Sequence, residues 1–244
     1  MEVVENKMKY ISILGDSIST LKGYLPSYCK SYYMQNPAAD CSGISHPWDT
    51  WWIQVISALH GELCVNNSYS GSLVCGMDFP SATHLLRCNE LHCSAGSYWY
   101  AMERGIIRRT LSTSLIMPDM IIVFLGANDW IFHSAIDEET EQKMNFRFAY
   151  RQVLEKLQRR YPDAVILCTT LFQKESVIAN PRHPLAAYNQ VIREMAAEQG
   201  CLLADIAQYA EEIETIDGIH PTYQGMHTIY ELWLRSTAQY NLTD

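Results

Sequence analysis

The apolar run from Tyr10 to Leu14 breaks at Gly15, and Asp16, Ser17, Ile18 and Ser19 follow at once. A run that is apolar at most positions reads as a strand buried on both faces, the kind found inside a parallel sheet. A strand that ends at a glycine, an acid and a serine delivers one hydroxyl to the carboxyl edge of that sheet. In open α/β sheets, ligands bind at that edge. Ser17 is therefore the candidate nucleophile, and it constrains what the rest of the chain must supply.

A serine hydroxyl is a weak nucleophile until a neighbouring base takes its proton. The base is usually a histidine held in one tautomer by a carboxylate, and the oxyanion that forms needs donors aimed at it. Three distant segments offer such groups: Asn66-Asn67-Ser68-Tyr69-Ser70-Gly71, Gly126-Ala127-Asn128-Asp129 and Asp217-Gly218-Ile219-His220-Pro221.

The order of elements sets the fold class. Further strands are predicted at Leu63 to Asn66, Met120 to Leu125, Ala164 to Cys168 and Cys201 to Ala204. Between them lie helical patterns. One opens at His46-Pro47-Trp48-Asp49, places Trp48, Trp51, Trp52, Val55, Ala58 and Leu59 on one face, and stops at Gly61. Others cover Tyr98 to Leu115, Pro184 to Gln199 closed by Gly200, and Tyr223 to Ala238. The helix predicted from Asp137 to Tyr161 has acids first and Arg159 and Arg160 last, the sense that the helix dipole favours. Alternating strands and helices make a mostly parallel sheet with helices on both faces. Residues 22 to 46 and 72 to 96 show no period and read as loops. With no repeat, low-complexity stretch or linker, a single domain over residues 1–244 is expected.

Charge and composition narrow the partners. The net charge is -9 and no basic run exceeds a pair, so neither nucleic acid nor an anionic membrane is an expected partner. Hydrophobic residues make up 48%, enough for a sizeable core, but no stretch is long enough to span a membrane. The polar segment before Tyr10 does not read as a secretion signal, so a cytoplasmic location is expected. The eight cysteines fit that expectation as reduced thiols. Cys64, Cys168 and Cys201 fall in or beside strand-like runs, where the thiol acts as a small hydrophobe.

The four segments together resemble the SGNH (GDSL-type) hydrolases. Gly15-Asp16-Ser17-Ile18 is similar to the first block of that family and Asn66-x-x-x-Ser70-Gly71 to its second. Gly126-x-Asn128-Asp129 is similar to its third block and Asp217-x-x-His220-Pro221 to its fifth. The resemblance implies a three-layer α/β/α sandwich on a five-stranded parallel sheet, flavodoxin-like, in the order 2-1-3-4-5. It implies that Ser17 attacks an acyl carbonyl, that His220 carries the proton and that Asp217 orients the imidazole. The oxyanion hole would combine the Ser17 and Gly71 backbone N–H groups with the Asn128 side chain. The family usually has glycine where Ser68 stands, a departure that bears on the shape of the pocket wall. The absence of a Gly-x-Ser-x-Gly elbow argues against the α/β-hydrolase fold.

Other residues are read more plainly. Asp16 is expected to cap the turn, and Asp129 and Trp130 to pack. The tryptophans at 48, 51 and 52 could form a sugar platform, but helix packing is the preferred reading. Tyr24, Tyr28, Tyr32 and Tyr33 could line a sugar site or simply pack a loop. His84-x-x-x-Cys88-x-x-x-His92-Cys93 lacks the paired spacing of a zinc site, so no metal and no cofactor are expected. The expected activity is hydrolysis of a short-chain acyl ester through an acyl-enzyme, with an acetylated carbohydrate as one such substrate. The competing readings are an acyltransferase that uses the same serine and a catalytically silent module that binds acylated sugars.

Overall fold

The protein is described from a computed structural model over residues 9–27, 29–34, 40–75, 111–113, 116–137, 145–209 and 211–242. The strands are β1 (Lys9–Gly15), β2 (Gly61–Asn66), β3 (Met120–Phe124), β4 (Val165–Thr169) and β5 (Leu202–Ala204). They form one parallel sheet in the order β2-β1-β3-β4-β5. The sheet opens at β1 and β3, which run side by side with Ile11 opposite Met120 and Gly15 opposite Phe124. Their carboxyl ends form the switch point where successive connections leave in opposite directions.

The helices are α1 (Trp51–Ala58), α2 (Ala127–Ile131), α3 (Phe146–Arg160), α4 (Leu185–Glu198) and α5 (Tyr223–Thr237). With right-handed crossovers, the reversal in strand order puts α1 on one face of the sheet and α3 and α4 on the other. Helix α5 returns to pack on α1, and α3 packs on α4. Central strands covered on both sides have no solvent face, which is why every residue of β3 is buried. Helix α3 buries Phe146, Ala149, Tyr150, Val153, Leu154 and Leu157, the spacing of a single helical stripe. Among the described residues, no helix is long and apolar enough to cross a membrane.

Several local expectations change. The pattern at His46 does not run straight into α1. Asp49 Oδ2 accepts hydrogen bonds from the amides of Ser45 and His46, which closes a separate 3-10 turn over Pro47–Asp49. Thr50 is extended, and α1 starts at Trp51. Trp51 and Trp52 are fully buried, whereas Trp48 on the turn is 57% exposed, so the three indoles do not form one platform. The stop of α1 is His60, in the left-handed conformation at φ 54. Gly61 instead begins β2, where an added Cβ would lie 2.8 Å from Ile11 Cδ1 and 2.9 Å from the Lys9 carbonyl. Helix α3 starts at Phe146, not Asp137, because Asn145 Oδ1 takes the Phe148 amide and caps it there. Asp137 pairs with Arg147 from outside the helix. Tyr28, the His84–Cys93 cluster and positions 98–110 and 114–115 of the helix expected up to Leu115 lie outside the described residues, and the described positions 111–113 are not helical.

Candidate active site

The turn that carries Ser17 is built from β1 outward. Asp16 Oδ1 accepts the Ile18 amide at 3.0 Å, and the Ser19 and Thr20 amides return to the carbonyls of Asp16 and Ser17. This closes a 3-10 turn over Ser17–Ser19 directly on the strand end. Gly15 is required there, since a Cβ would come within 2.6 Å of Ser19 Oγ and 2.9 Å of Ser68 Oγ.

The second segment continues the pairing with β1 past the end of β2. The Asn67 amide donates to the Ile13 carbonyl and the Tyr69 amide to the Gly15 carbonyl. Asn66 Nδ2 reaches the Ser19 carbonyl at 2.8 Å and so joins this segment to the serine turn. Ser68, where the resembling family has glycine, turns its hydroxyl to Asn66 Oδ1 at 2.7 Å and stays buried. Gly71 takes φ 85, a conformation that glycine adopts without cost. Asn128, in the first turn of α2, donates from Nδ2 to the Ser72 carbonyl at 2.9 Å, which ties the third segment to the second. Asp129 is buried below it and accepts the amides of Val74 and Cys75, an anchoring role in line with the packing reading.

The last segment is a tight loop held by an isolated bridge between Thr215 and Pro221. Asp217 Oδ1 accepts the amides of Ile219 and His220, while Oδ2 lies 2.7 Å from His220 Nδ1. His220 Nε2 lies 2.9 Å from Ser17 Oγ. One imidazole therefore spans a carboxylate and a hydroxyl that come from opposite ends of the chain. Of the residues expected at the site, Ser17, Asp217 and His220 stand in one hydrogen-bonded row, Gly71 stands on a segment bonded to the serine turn, and Asn128 is bonded to that segment at Ser72.

The profile of the GDSL-like lipase/acylhydrolase family matches residues 9–235. The chain belongs to that family. This GDSL-like acylhydrolase is similar to two solved structures described as GDSL-like lipases. The one from Bacteroides uniformis is 26% identical, with a TM-score of 0.69 over 95% of this chain and 96% of that one. The one from Bacteroides ovatus is 25% identical, with a TM-score of 0.69 over 95% and 99% of the two chains. The lipase/acylhydrolase from Enterococcus faecalis, at 18% identity and a TM-score of 0.50, shares the fold. No curated protein matches the chain. Family and fold together make it an SGNH-type ester hydrolase.

The carboxyl groups of the acylhydrolase near Ser17 are shifted in opposite directions. Burial pushes the Asp217 carboxyl up, but the hydrogen bonds from the His220 amide, the imidazole and the Ile219 amide outweigh it and hold the group below the usual carboxylate range. Burial pulls His220 below its ordinary value, against the opposing pull of Asp217. Asp16 lies fully buried next to Ser17, and burial pushes its carboxyl up to about 7 against the bond from the Ile18 amide, with the Asp129 charge adding to the rise.

One contact at the site had no signal in the sequence. The phenol ring of Tyr32 stacks on the His220 imidazole, with ring centroids 3.5 Å apart and planes 5° from parallel. Tyr32 lies in an aperiodic loop, and nothing in its neighbours distinguishes a ring that lines a pocket from one that faces a histidine.

Proposed function

We propose that this ester hydrolase works through a Ser17–His220–Asp217 triad and a covalent acyl-enzyme. The observation that carries the proposal is the position of His220, with Nδ1 2.7 Å from Asp217 and Nε2 2.9 Å from Ser17 Oγ. His220 Nε2 takes the hydroxyl proton as Ser17 Oγ bonds to the ester carbonyl carbon. The same proton then passes to the departing alkoxide, which leaves as the alcohol. Water, deprotonated by His220, attacks the acyl-enzyme, and the acid is released with Ser17 restored. Ionised Asp217 keeps the Nδ1 proton in place and stabilises the imidazolium.

The oxyanion would meet three donors: the amides of Ser17 and Gly71 and the Asn128 side chain. In support, neither amide has a hydrogen-bond partner among the described residues. Asn128 spends one of its two Nδ2 protons on Ser72 and keeps the other.

For the substrate, the reading is a short-chain acyl ester, with an acetylated carbohydrate as the natural class. Half-exposed aromatic rings near the histidine loop support it. Tyr223, three residues after His220, is 50% exposed, and Trp48 sits on the turn that packs against α5. Aromatic faces of this kind suit the apolar faces of sugar rings. The test is a panel of p-nitrophenyl esters of increasing acyl length and of acetylated sugars, assayed beside Ser17→Ala. Turnover confined to short acyl chains, extended to acetylated sugars and lost by a large factor in Ser17→Ala, up to about a millionfold, is the expected result. A clean Ser17→Ala preparation with near-normal turnover would overturn the triad, and a preference for long acyl chains would overturn the substrate class.

A further inference from the structure

The segment from Cys29 to Met34 belongs to none of the four motifs, yet it is bonded to two of them and, through Thr20, to a third. The Lys30 carbonyl accepts the Ser70 amide at 2.9 Å, next to Gly71. The Tyr32 amide donates to Thr20 Oγ1 at 2.8 Å, and that hydroxyl donates to the Ser17 carbonyl at 2.7 Å. The buried Tyr33 hydroxyl donates to the Pro221 carbonyl at 3.0 Å, immediately after His220. Tyr33 also meets the Tyr32 ring edge-on, with centroids 5.0 Å apart. Tyr32 is thus placed by bonds to the serine turn and through its neighbour to the histidine loop.

A histidine does not set its own ring plane. Its second side-chain torsion turns about an sp³–sp² bond, where the preferences are broad. Asp217 restrains Nδ1 but leaves the ring able to swing about that contact. A flat partner on the imidazole face blocks the swing and leaves both ring nitrogens free in the plane for Asp217 and Ser17. The Tyr32 ring has that position. Its phenol is held above its ordinary range, first by burial, then by the charges of Asp217 and Asp40 and by a hydrogen bond to Asp217, so it stays protonated beside that carboxylate. When His220 takes up a proton, the aromatic face also meets the new positive charge favourably.

We propose that Tyr32 is a positioning residue of this hydrolase, whose ring sets the plane of the His220 imidazole so that Nε2 stays aimed at Ser17 Oγ. The inference rests on the reading of Ser17, His220 and Asp217 as the triad. Small errors of aim at such a contact are costly, because a misplacement of about 1 Å can cost about a hundredfold in rate.

The test compares Tyr32→Leu, which removes the aromatic face, with Tyr32→Phe, which keeps it. Rates on a p-nitrophenyl ester are normalised to active sites titrated with a fluorophosphonate, with Ser17→Ala as reference. Tyr32→Leu is expected to lower kcat by about tenfold or more with KM changed by less than about twofold, and Tyr32→Phe to restore kcat to within about threefold of wild type. A loss of packing alone would lower the titratable fraction and leave kcat per site unchanged. The wild-type protein gives a second readout that needs no variant at position 32. The His220 ring-proton resonances, assigned by their disappearance in His220→Gln, are expected upfield of ordinary histidine positions because a ring current acts on them. With Ser17→Ala inactive, the positioning role is overturned by wild-type kcat in Tyr32→Leu, by equal damage in Tyr32→Phe, or by unshifted His220 resonances. Activity in Ser17→Ala would instead remove the triad reading beneath it.

Discussion

Ser17 Oγ and His220 Nε2 lie 2.9 Å apart although 203 positions separate them in the chain. Each is set by its own local structure: the serine by a 3-10 turn on β1, the histidine by the bridge between Thr215 and Pro221. The hydrogen bond between them therefore depends on how two independently formed turns are held together across the sheet edge.

The pH dependence follows from His220. As the proposed base, His220 must be neutral to accept the Ser17 proton, and burial depresses its affinity for protons below the ordinary value of 6.5. The acid limb of kcat/KM is expected below pH 6.5, with activity sustained from there through neutrality. Asp217 opposes the depression. Asp217→Asn should therefore move the limb to still lower pH while turnover falls, by up to about 10⁴-fold as in other triads. A pH–rate profile on both proteins checks this, and a limb above pH 7 in the wild type would contradict it.

Asn128→Ala should lower kcat by about 10²–10³-fold if the side chain faces the oxyanion. It also removes the bond to the Ser72 carbonyl, so a small drop in melting temperature should accompany it, in keeping with about 1 kcal/mol for one hydrogen bond. Turnover and thermal melts on the same preparation separate the two effects. An unchanged kcat would take Asn128 out of the oxyanion hole.

Gly218 sits between Asp217 and His220 at φ 85, where an added Cβ would lie 2.1 Å from Val177 Cγ2. Gly218→Ala carries a left-handed backbone cost of about 1–2 kcal/mol plus that overlap. The variant should melt lower and lose most of its turnover, because the displaced loop takes the imidazole with it. Adding Val177→Ala should recover part of the activity by clearing the overlap. A double variant no better than Gly218→Ala would show that backbone strain alone is responsible.

Asp16→Asn probes the buried carboxyl beside Ser17. Asp16 Oδ2 is buried without a hydrogen-bond partner among the described residues, and burial pushes the carboxyl up from the ordinary 3.8 to about 7. The folded state keeps this proton when the unfolded chain has released it. The stability the proton confers is therefore full below pH 3.8 and is lost as pH rises to about 7. Asparagine keeps an oxygen for the Ile18 amide and does not ionise. The melting temperature of Asp16→Asn relative to wild type should rise steadily from pH 4 to 7.5, as read by thermal melts across that range. A constant difference would mean that Asp16 stays charged when folded.

Much of the fold was legible because strands and helices leave local marks. The wholly apolar Met120–Phe124 could only be a strand covered on both faces, and strand–helix alternation led to the parallel sheet. The Asp217–His220 contact was also within reach, since only two residues of loop separate the two side chains. Errors arose where a side chain overrode the pattern. Asp49 closed a turn before α1, and Asn145 capped α3 well after the acids that seemed to open it.

The sequence on its own determined the buried strands, their alternation with helices, and the short motifs that carry the glycine, serine, asparagine, aspartate and histidine of the candidate site. Those features depend on hydrogen bonding and side-chain periodicity within a few residues. Tertiary structure alone decided that Trp51 and Trp52 face the core while Trp48 faces solvent, that Asp16 loses its water, and that Tyr32 covers His220. Each of those outcomes depends on which distant surface packs against the residue, and no local pattern of residues encodes that.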